Sequence, residues 1–164
     1  MAATPILWKI ITMVNEKKQR WSEGALVAIP ISGNRYGFGK LLQSPLITFY
    51  HLESNELLEI NIITSSPIAF KVWVMHSAIT SGRWTIIGKV EISPEEKVSP
   101  WFFRQDAISQ ELTLIGNDDI EKPATAVECA GLECAQVWSA VHIESRLEDH
   151  FAGRRNKWIE EVEI

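Results

Sequence analysis

The sequence predicts an α+β fold: a strongly twisted or partly barrel-like antiparallel sheet with one long C-terminal helix packed on it. Three observations lead there. Short β-prone runs, separated by proline, glycine and polar breaks, follow one another from Ala25 to Ile115, which is the rhythm of consecutive antiparallel strands. Gly37 and Gly39 lie two residues apart on one strand face, an arrangement that invites a bulge or strong coiling. Residues 125–151 have no proline, few strand formers in alternation, and frequent Ala and Glu, the composition of a helix.

In chain order, Ile6, Trp8 and Ile10 alternate as a short strand would. Ala25 to Ile31, the turn signal Ser32-Gly33-Asn34, and Tyr36 to Leu42 read as a hairpin. Pro30 has no N–H and belongs on an edge or at a bulge. Further strands are expected at Leu46 to His51, Leu57 to Thr64, Ile68 to Met75 and Trp84 to Val90, the last after the Ser81-Gly82 turn. Ser93 as N-cap, Pro94 at the first position and Glu96 three residues on make a capping box. The helix it opens must be short, because Pro100 follows. Trp101 to Arg104 and Glu111 to Ile115 complete the strands. The long helix is expected from about Leu132 to Phe151, with Gly153 as its C-cap. Thr125 and Glu128 form a second capping box that allows an earlier start, which Gly131 leaves open. The division is one domain over 1–164: an N-terminal extension (1–23), a mainly β region (24–115), a helical region (125–153) and a tail (154–164).

The chain's 164 residues carry 16 basic and 21 acidic side chains, a net charge of -5. A nucleic-acid binder needs Lys and Arg to neutralise phosphates, so the balance argues against one. No apolar run approaches the roughly 18 residues needed to span a bilayer. Lys9 and Glu16 to Arg20 follow the first apolar residues instead of preceding them, unlike a signal peptide. A cytoplasmic protein that does not engage membranes is the expectation. Cys129 and Cys134, the two cysteines, are expected to be reduced.

Motifs for chemistry are sparse. Gly33 to Lys40 lacks the Walker spacing, and Leu41 stands where Ser or Thr is required. Cys129, Cys134, His142 and His150 lack the spacing of a closed zinc site, so no metal, cofactor or catalytic residue is expected. Trp138, His142, Ser145 and Asp149 share one helix face. They read as a polar network tying helix to sheet, ahead of a partner contact or acid–base chemistry. Glu144, Arg146, Glu148, Asp149 and His150, followed by Arg154 and Arg155, read as a solvated helix face; its acidic members Glu144, Glu148 and Asp149, with Glu133, could instead meet a basic partner. Trp158 packs the tail onto the domain or anchors an interface.

Several segments together resemble a bacterial family, immunity protein family 26 of polymorphic toxin systems. They are Glu23-Gly24-Ala25-Leu26-Val27-Ala28-Ile29-Pro30-Ile31, Arg35-Tyr36-Gly37-Phe38-Gly39-Lys40-Leu41, Gly82-Arg83-Trp84-Thr85-Ile86-Ile87-Gly88 and Trp101-Phe102-Phe103. Lys40 replaces the usual arginine of that family, and Ala25 stands where Asp is common. The likeness covers about residues 23–104, and 128–150 looks like a subgroup feature. The resemblance implies a small cytoplasmic antidote, encoded beside its toxin, that binds the toxin's C-terminal domain one to one and occludes its active surface. No catalytic residue carries over. A binding module for a non-toxin partner and a small metal-dependent phosphoester hydrolase are the alternatives, and four histidines without a close ligand pair disfavour the second.

Overall fold

The computed structural model describes residues 18–164; the strand expected at Ile6 to Ile10 lies outside the described residues. The β region runs β1 (Ala25–Ile31), β2 (Arg35–Leu41), β3 (Leu46–Ser54), α1 (Ile60–Thr64), β4 (Ile68–Val74), α2 (Ser77–Thr80), β5 (Thr85–Lys89), β6 (Phe102–Gln105), β7 (Leu112–Ile115) and β8 (Glu121–Ala124). The rest is α3 (Ala126–Cys129), β9 (Glu133–Cys134), β10 (Val137–Trp138), α4 (Ala140–Ala152) and α5 (Lys157–Glu160).

These strands form two open sheets, which corrects the expectation of a single strongly twisted or barrel-like one. The larger has the order β10-β4-β3-β2-β1-β5 and the smaller β8-β7-β6-β9. Each is antiparallel except at one end, where β10 joins β4 and β9 joins β6 in parallel. The glycine pair does make a bulge, a register shift between Gly37 and Gly39 opposite β3. Its effect stays local, and β10 and β5 remain at opposite ends of the order. The hairpin holds its expected register, Ile31 opposite Arg35, with Gly33 and Asn34 at φ 74° and 55° in its turn. Pro30 lies on an internal strand, beyond Ala28 where pairing with β5 stops, so its missing N–H breaks no ladder on that side.

Two further corrections concern helices. Leu57 to Thr64 ends in α1, not in a strand. Leu57, Ile60 and Ile63 are spaced by three, so a single turn points them together at the cluster of Leu26, Phe38 and Tyr50. The long helix starts at Ala140, not near Leu132. Gly131 takes φ 79°, and the two short segments after it each extend a sheet edge. The Thr125–Glu128 capping box caps only α3. The Ser93–Glu96 box forms as expected: Ser93 N–H donates to Glu96 Oε1 at 3.1 Å and Glu96 N–H to Ser93 Oγ at 3.3 Å, opening one 3-10 turn.

The main core lies between the larger sheet and α4, with Val27, Ile29, Phe49, Val72 and Trp84 meeting Ile143 and Leu147. The other face of β1 and β2 packs on α1, which is why β1 is apolar at consecutive positions. Buried Gln19 closes the β5 end, donating to the Ile79 and Trp84 carbonyls at 2.8 and 2.7 Å and accepting from Ile86 N–H at 2.9 Å. No helix among the described residues is long and apolar enough to cross a membrane.

Candidate functional site

The residues singled out for partner binding converge on α4 and its surroundings. Ser139 Oγ caps the helix by accepting from His142 N–H, and Gly153 ends it in the left-handed conformation at φ 69°. Ile143 and Leu147 turn into the core. A Cβ on Gly37 would stand 3.0 Å from Leu147 Cδ1, so the helix approaches β2 where glycine leaves room.

The acidic side chains are braced from within the chain. Arg146, only 6% exposed, donates both terminal nitrogens to Glu133, one at 3.1 Å. Its guanidinium lies 3.7 Å from the Phe70 ring centre and 5.0 Å from that of Trp138. Glu144 receives Arg83 Nε and Nη2 at 3.1 and 2.8 Å, which holds the Arg83 guanidinium above its ordinary pKa. Glu148 Oε1 accepts the Ser32 N–H at 2.6 Å. Asp149 pairs with Arg154 Nε at 3.1 Å.

The four residues placed on one helix face take different roles. Ser145 Oγ and Asp149 Oδ2 both accept from Asn156 Nδ2, at 3.2 and 2.8 Å. Buried Asn156 also caps α5 by accepting from Trp158 N–H at 3.1 Å. His142 stacks on Trp158, ring centres 3.9 Å apart. Trp138 precedes the helix on β10, and its Nε1 has no hydrogen-bond partner among the described residues. The sequence places Arg146 on a solvated helix face, whereas the structure buries it, and sequence reasoning missed Asn156, the other polar side chain at the centre. Asn156 carried a signal, since Asn before a short apolar run is a favoured N-cap.

Beside this face, His51 Nδ1 and His150 Nε2 share a hydrogen bond at 2.7 Å. Burial, then the charges of His51 and Arg146, hold His150 below its ordinary value. A histidine with a lowered folded-state pKa contributes stability that is complete above its unfolded value of about 6.5 and is lost as pH falls through the folded one. Urea midpoints measured from about pH 7 down to about pH 5 should therefore fall, and less steeply in His150→Asn. Equal slopes would assign the acid sensitivity to other groups.

Charge is unevenly distributed. Residues 114–164 hold eleven of the 21 acidic and five of the 16 basic side chains, a net of -6, against +1 for residues 1–113. Among the described residues, no group of three or more His, Cys, Asp or Glu is placed to hold a metal ion.

No curated protein and no solved structure matches the chain. The sequence pattern of immunity protein 26 matches residues 22–113, from the turn before β1 through the first part of β7. That span is more than half of the 164 residues, and it holds the hairpin and the tryptophan strand on which the resemblance rested: the chain belongs to the immunity protein 26 family.

Proposed function

We propose that this protein neutralises the C-terminal domain of a cognate toxin in the cytoplasm of the producing cell, one molecule to one, by covering the toxin's active surface. Family membership implies a toxin as partner. The observation that carries the mode of binding is the confinement of net negative charge to residues 114–164. Glu133, Glu144, Glu148 and Asp149, with Trp158, form the proposed contact surface. Arg146, Arg83 and the Ser32 amide already fix three of those carboxylates, so little side-chain freedom remains to be lost on binding. An acidic surface of this kind steers a basic toxin domain into register, and a standard interface of about 1,600 Å² suffices to occlude a cleft.

Calorimetric titration against an inactivated form of the toxin C-terminal domain encoded beside this protein should give one-to-one binding at nanomolar Kd, about -12 kcal/mol. The association rate should fall with added salt. Hydrogen exchange of the complex should protect residues within 133–150. Absence of heat and of co-elution would sink the function, whereas protection confined to other regions would sink only the assigned surface.

A further inference from the structure

A cavity of about 230 Å³ opens between β10, the first turn of α4 and the C-terminal residues after α5, lined by Val137, Trp138, His142, Trp158, Glu161 and Val162. It is smaller than the roughly 300–1,000 Å³ of small-molecule sites, a size suited to one side chain. Three apolar side chains near it are exposed. Val137 and Val141 are 48% and 55% exposed, and Met75, joined through its N–H to the Trp138 carbonyl at 2.9 Å, is 47% exposed. Trp138 is 4% exposed and lines the cavity; its Nε1 is itself closed to solvent and has no acceptor among the described residues, so an incoming group meets other atoms of the ring.

We infer that this cavity is the anchor site for the cognate toxin domain, receiving one apolar side chain from a segment whose neighbouring Lys or Arg meets Glu161. The inference rests on the immunity reading above and deepens it. The charge supports a basic flank on the incoming segment, since Glu161 lies at the rim and residues 114–164 carry net -6. The stacked His142 and Trp158 rings supply a rigid wall, and aromatic anchors in such pockets dominate binding energy. All of the lining residues lie beyond the matched 22–113. The family framework therefore holds the site from behind, and the segment outside it selects the toxin.

Val141→Arg tests this, because an exposed position can take the change without loss of folding. The toxin domain should bind it at least about 30-fold more weakly than wild type, while Ile108→Arg, at a 95% exposed position on the β6–β7 turn, binds unchanged. In ¹⁵N spectra the Trp138 indole N–H, assigned with Trp138→Phe, should shift on adding the toxin domain, because a side chain seated in the cavity packs beside that ring. If wild type binds, Val141→Arg binds equally and the indole signal stays in place, the anchor site is overturned and the immunity reading stands. If wild type itself does not bind, the immunity reading fails and the anchor site with it. A concentration-dependent dimer of the free protein that Val141→Arg abolishes would assign the patch to a second copy and overturn the inference.

Discussion

Gly24→Ala should lower stability by about 3 kcal/mol or more, and the melting temperature by about 6–12 °C. Gly24 sits at φ 86° just before β1, where an L side chain costs roughly 1–2 kcal/mol. The larger part comes from contact. A Cβ there would lie 2.0 Å from the Val90 carbonyl oxygen, an atom of the backbone that no rotamer change can move aside. Relief requires displacing the end of β5, and with it the bonds from Val90 N–H to the Gly24 carbonyl and from Gly24 N–H to the Leu41 carbonyl, at 2.9 and 2.7 Å. Gly131→Ala isolates the conformational share: it has φ 79° and nothing within 4 Å of the added carbon, so about 1 kcal/mol is expected there. Urea unfolding of both variants gives the comparison. Equal losses would show that β5 yields freely and that the Val90 contact constrains nothing.

Features fixed by local chemistry were legible in the sequence: the Gly33-Asn34 turn, both capping boxes and Gly153 each form where the sequence places them. Gly24 stands in the opening that carried the family resemblance, but its contact with the distant Val90 carbonyl was not legible. What depended on distant partners was not legible. Residues 132–138 have a helix-like composition, yet their backbone groups are taken by β6 and β4, segments about 30 and 60 residues away. Nothing within the segment itself encodes those parallel pairings. The expected single sheet divides elsewhere, where β6 pairs with β7 and β9 and not with β5. The proposed contact surface followed the same rule: the acidic residues were visible as a pattern, but their partners Arg83, Arg146 and Ser32 lie 61, 13 and 116 residues from the carboxylates they hold.

Arg146→Met should cost about 3 kcal/mol, because Met keeps the apolar contact with Phe70 and Trp138 but removes a bidentate, charge-assisted pair. Glu133→Gln should cost a similar amount for a different reason: it leaves a guanidinium that is 6% exposed without its counter-charge. The double variant should lose much less than the sum, by about 1–3 kcal/mol, since a neutral pair asks for no desolvated charge. Additive losses would mean that the two side chains act independently and that the pair contributes no coupling. The consequence reaches the proposed toxin-binding surface. Glu133 belongs to β9 of the smaller sheet and Arg146 to α4 on the larger one, so their pair bolts the two layers together behind Trp138. In Arg146→Met, amides of α4 and β10 should exchange faster than those of the β1–β3 core. The toxin domain should then bind more weakly by the population in which the layers have parted, not by loss of a contact. Restoring affinity at higher stability, by adding an osmolyte that strengthens burial, would separate that effect from a direct contact of Arg146 with the toxin, which no osmolyte could replace.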